Sequence, residues 1–88
     1  MKKTAREIAE VIALLVGEEI ITKVCSIEDL EDNVKVALEK GDQSVHILDL
    51  EPWAGKINFD TIPKEYYKNG IRVIRFITAD HFGIRYHV

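Results

Sequence analysis

Residues 69–88 read NGIRVIRFITADHFGIRYHV, and the fold class turns on them. Ile71 to Ile77 is rich in β-branched residues and apolar on both faces, which predicts a strand. Ile84 to Val88 alternates, with Ile84, Tyr86 and Val88 facing one way and Arg85 and His87 the other. Thr78 to Gly83 reads as the connection between them. The two runs therefore form a hairpin with a longer, glycine-bearing loop.

Upstream, Asp60 or Thr61 caps a third, short helix with Pro63 near its first turn. That helix carries Tyr66 and Tyr67 and stops at Asn69-Gly70, a turn or C-cap signal. Ser44 to Leu50, SVHILDL, is the strongest strand of the first half. Val45 and Ile47 lie on one face and Leu48 and Leu50 on the other, which predicts an interior strand covered on both sides. Pro52 ends it, and Glu51 to Asn58 is loop with Trp53 alone among small and polar residues.

Two helices precede that strand. Ser26-Ile27-Glu28-Asp29 is a capping box, and Ile27, Leu30, Val34 and Leu38, with Ala37 beside them, make the buried stripe up to a C-cap at Gly41. Thr4-Ala5-Arg6-Glu7 is a second capping box, followed by Ala5, Ile8, Ile12 and Leu15 at helical spacing. Glu18 and Glu19 oppose a helix C-terminus, so this helix ends near Gly17; one long helix to about Lys23 is the competing reading. Ile20 to Cys25, short and β-branched, reads as a strand.

The expected fold is one α+β domain over residues 1–88, in the order α-β-α-β-α-β-β. It has two layers, with helices packed on one face of a small three- or four-stranded mixed sheet. The helix crossovers predict at least one parallel pair. Over residues 27–77, the helix, glycine turn, VHILDL, loop, helix and NGIRVIRF are similar in outline to the STAS-type regulatory domains of anti-sigma antagonists. No serine follows LDL, so that family's phosphorylation switch has no counterpart, and the shared pattern is generic helix–strand alternation.

Composition narrows the function. The 88 residues are 47% hydrophobic and 31% charged, a globular balance with a thin core. A net charge of −3 argues against indiscriminate binding to phosphate backbones. One cysteine excludes an internal disulfide and a cysteine-only zinc site. No apolar run reaches the roughly 20 residues of a membrane span, so the expected setting is cytoplasmic, with no membrane partner. The five glycines punctuate elements rather than forming a phosphate loop, and Ser26 and Ser44 read as a cap and a strand start.

Cys25, before a helix N-terminus, pairs with His46 only if their strands are neighbours. His46 itself alternates with Leu48 and Leu50 and reads as a partly buried, hydrogen-bonded residue at the core edge. Asp80, His81 and His87 match no defensible metal spacing, with His81 expected in the hairpin loop. No catalytic residue, metal or cofactor is therefore expected, and the chain reads as a non-enzyme.

The charge is uneven. Residues 1–60 hold seven Lys and Arg against thirteen Asp and Glu, and residues 61–88 hold five against two. The basic part interleaves Arg72, Arg75 and Arg85 with Tyr66, Tyr67 and Tyr86. The bland reading is a core supplied with rings and a solvated outer face. The sharper reading is a binding surface of Trp53, Tyr66, Tyr67, Arg72, Arg75, Arg85 and His87, although Arg72 and Arg75 fall on opposite faces of a regular strand. Trp53 is a lid over the core or an interface anchor. An edge position for Ile84–Val88 would leave backbone groups needing a partner, and a symmetric dimer would enlarge the core.

The expected function is a small, non-catalytic, protein-binding regulatory module, homodimeric and docking another protein through this aromatic-basic surface. One alternative is a nucleic-acid-binding regulator using the same surface. Another is an acidic inhibitor of a nucleic-acid enzyme using Glu28, Asp29, Glu31 and Asp32 on the second helix.

Overall fold

The computed structural model describes residues 3–88. Three helices precede four strands: α1 Ala5–Val16, α2 Glu18–Lys23, α3 Ile27–Lys40, β1 Ser44–Asp49, β2 Glu65–Lys68, β3 Ile71–Ile77 and β4 His81–His87. Short 3₁₀ turns at Glu51–Trp53 and Phe59–Thr61 lie between β1 and β2. The architecture is α+β. All helical contacts with the sheet fall on one of its faces, where Ile8, Ile12, Leu15, Leu30 and Val34 meet Val45, Val73, Phe82, Ile84 and Tyr86 in one core.

Both predicted capping boxes form. The Thr4 hydroxyl accepts from the Glu7 amide while Glu7 accepts from the Thr4 amide, and Ser26 and Asp29 repeat the exchange. Gly41 ends α3 in the left-handed conformation. The buried stripe of α3 is narrower than expected. Leu30, Val34 and Ala37 are buried, Ile27 is half-buried, and Leu38 turns outward.

Several elements differ from the expectation. Ile20–Cys25 is not a strand: Gly17, at φ 87° and ψ 168°, breaks the first helix, and a second, six-residue helix follows. Ile20 is buried in the core, so tertiary packing overrides the β-branched composition. The third helix is absent as well. Glu65–Lys68 is a strand, and Asn69-Gly70 is a two-residue hairpin turn with both residues at positive φ.

The sheet is antiparallel throughout, in the order β1-β4-β3-β2, so the expected parallel pair is not found among the described residues and the sheet is not mixed. The last strand starts at His81 and takes up half of the expected connection. It lies between β1 and β3, not at an edge. β1 is an edge strand instead of an interior one. Its apolar residues on both faces reflect a bulge between His46 and Leu48, after which Val45 and Leu48 both point to the helices.

Candidate binding face: the open side of the sheet

The pairing register assigns every strand residue to a face. Val45 pairs with Ile84 and Val73 with Tyr86, and all four are buried beneath the helices. Their neighbours along each strand point the other way. On that open side, Tyr67, Arg72 and His87 form one row across the sheet. Glu65, Ile74, Arg85 and Ser44 form the next, and Phe76, Gly83 and His46 the third. Beyond the bulge, His81 pairs with Asp49. No helix covers these rows among the described residues.

The seven residues singled out in the sequence divide. Tyr67, Arg72, Arg85 and His87 share the open face, and Tyr67 is 71% exposed. Trp53, Tyr66 and Arg75 do not share it. Tyr66 pairs with Val73 and Arg75 with Ile84, both on the helix side. Tyr66 and Trp53 are half-buried against the core, and the Lys56 ammonium lies 5.9 Å from the Trp53 ring centre. The Nε of Arg75 is buried with no hydrogen-bond partner among the described residues.

The face also carries residues that sequence reading did not select. Gly83 sits inside β4, and a Cβ built there would overlap the Phe76 ring. The phenyl therefore lies directly on the glycine backbone. His46 and His81 lie beside the same phenyl ring. Their ring centres are 4.1 Å apart, and Phe76 meets both edge-on at 6.1 and 6.3 Å. His46 is exposed and its ring makes no hydrogen bond among the described residues, contrary to its expected place at the core edge. The one sequence signal for this cluster was a glycine between Phe82 and Ile84, within an apolar run.

Charge on the face is nearly balanced. Glu65 accepts from Arg72 Nε at 3.1 Å and from Nη2 at 2.8 Å. Both side chains are more than half exposed, so this pair contributes at most about 1 kcal/mol. Arg85 has no ion-pair partner among the described residues, and Asp49 lies at the opposite end of the face.

Elsewhere the candidate chemistry is weaker. Cys25 precedes the Ser26 cap in the helical layer, while His46 points from the far side of the sheet, so the two do not pair. Burial pushes the Cys25 thiol above its ordinary value, opposite to what a nucleophile requires. Among the α3 acids, Asp29 serves the cap and Glu31 pairs with Arg6 and Lys35. No helix among the described residues is long and apolar enough to cross a membrane. The chain matches no protein-family model, no curated protein and no solved structure.

Proposed function

We propose that the protein is a small, non-catalytic, cytoplasmic docking module that self-associates through the open face of its sheet. The observation that carries this reading is a four-stranded sheet covered on one side only, whose other side presents Tyr67, Ile74, Phe76 and His46. Apolar and aromatic groups at the centre of a charged rim are the composition of a docking patch.

A second copy of the chain suits the charge pattern. Stacking two sheets about a two-fold axis that runs across the strands sets their strand directions opposed. Asp49 of one copy then lies over the Ser44–Arg85 end of the other, and a single patch serves both sides. Seven residues at about 3.4 Å across four strands about 4.8 Å apart give roughly 400 Å² of flat sheet per copy. Protruding side chains add to this, but the interface stays at the small end of the specific class. Self-association is therefore weak and dynamic, as suits a regulatory module that exchanges this copy for another protein.

Sedimentation equilibrium across a concentration series tests the reading. A monomer–dimer equilibrium is expected, with Ile74→Lys and Tyr67→Ala shifting it to monomer while far-ultraviolet circular dichroism stays unchanged. A wild type that is monomeric at every concentration overturns self-association, and a dimer that survives both substitutions places the contact on another surface.

Binding of single-stranded nucleic acid is a second reading, favoured by stackable rings beside the unpaired Arg85. Capture of a thymidine oligomer that weakens steeply with salt would select it over protein docking.

A further inference from the structure

We infer that His46 and His81 form a surface chelate for a divalent transition ion of the imidazole-preferring class: copper(II), nickel(II) or zinc(II). The residues lie on adjacent antiparallel strands, both on the open face. His46 is directly opposite Gly83, two residues along β4 from His81. The Phe76 ring covers Gly83, and beside it the two imidazole centres approach to 4.1 Å at an interplanar angle of 38°. A metal–nitrogen bond of about 2.0–2.1 Å, extended to the ring centre, sets the centres of two ligands at neighbouring coordination positions roughly 4.5–5.2 Å apart. The observed separation is a few tenths of an ångström shorter, a difference that a small turn of the exposed His46 ring takes up.

The donor atoms are free. Neither ring makes a hydrogen bond among the described residues. The nearest charged oxygen, Asp80 Oδ1, is 3.9 Å from His81 Nδ1, too long for a hydrogen bond. His46 is exposed, so its ring turns toward an ion without disturbing the core. Two carboxylates favour a cation here. Asp49 is opposite His81, and Asp80 adjoins it in the hairpin turn. Phe76 closes one side of the pair.

No group of three His, Cys, Asp or Glu among the described residues is placed to hold a metal alone. The chelate is therefore two-coordinate from protein, with water at the remaining positions, and the ion is labile rather than structural. Copper(II) binds tightest, following the usual order for nitrogen sites. Each imidazole coordinates through an unprotonated nitrogen, so the ion competes with protons for the site. The site stands on one chain and does not depend on self-association.

Calorimetric titration of untagged protein with nickel(II) chloride and zinc(II) chloride in a chelator-free buffer, paralleled by nitrogen-15 spectra, tests this. One ion per chain is expected, with the largest shifts at His46, Gly83 and His81. Either His46→Ala or His81→Ala is expected to weaken binding by more than about tenfold, since even residues behind the ligands are worth that much at metal sites. Absence of saturable binding by the wild type overturns the inference. So does wild-type affinity in either alanine variant.

Discussion

Gly83 organises the open face through what it lacks. A side chain there would occupy the volume now filled by the Phe76 ring, which packs edge-on against His46 and His81. A glycine inside a strand normally weakens it, and a ring laid across the bare backbone returns some of the lost contact. On the helix side, Tyr86 is the largest fully buried side chain. Its hydroxyl donates to the Asp42 carbonyl at 2.9 Å, which ties the central strand to the turn after α3. Tyr86→Phe is expected to cost about 0.5–1.5 kcal/mol in urea unfolding, the worth of one internal hydrogen bond. Burial holds the Tyr86 phenol above its ordinary value. Its contribution is complete below the ordinary tyrosine range and is lost as pH rises through the raised value. The Phe variant is therefore expected to lose less stability than the wild type between neutral and strongly alkaline pH, measured by thermal melts across that window.

At the scale of elements, most of the long, periodic segments were legible. α1 and α3 carry capping boxes, apolar spacing and glycine stops within the sequence itself. The short segments were not. Asn69-Gly70 serves equally as a helix C-cap or a hairpin turn, because both demand positive φ. What selects the hairpin is β3, which gains an edge partner from Glu65–Lys68. Likewise α2, at six residues, is too short to persist alone. It exists because Gly17 turns the chain so that Ile20 reaches the core. The backbone at Gly17 is in a region nearly closed to other residues. Open space surrounds a Cβ built there, so the cost of substitution comes from the backbone alone. Gly17→Ala is expected to destabilise by about 1–3 kcal/mol, read as a lower urea midpoint with an unchanged slope. A neutral or stabilising result would mean that α1 and α2 merge into one helix.

Across the whole molecule, charge follows the layers. The helical layer carries most of the acid, and the sheet carries three of the arginines. Two carboxylates bind the layers to their turns. The Ser44 hydroxyl, and then its amide, hold the Asp42 carboxyl below its ordinary value. The Thr4 amide, and then its hydroxyl, do the same for Glu7. Depressed carboxylates add stability above the ordinary carboxylate range, and this is lost as pH falls through the depressed values. Both are fully exposed, so the expected signature is a gradual loss in acid melts below about pH 4, made shallower by Asp42→Asn.

The amino-acid sequence by itself determined the α+β class, the capped helices, the C-terminal hairpin and an inventory of rings and guanidinium groups, because each of these is written within a few consecutive residues. Only the tertiary structure decided which strand is central, which side of the sheet stays open, and that His46 meets His81 while Arg75 turns inward. The reason is parity. A strand side chain belongs to one face or the other according to pairing register, and a single bulge after His46 reverses the assignment for the rest of β1.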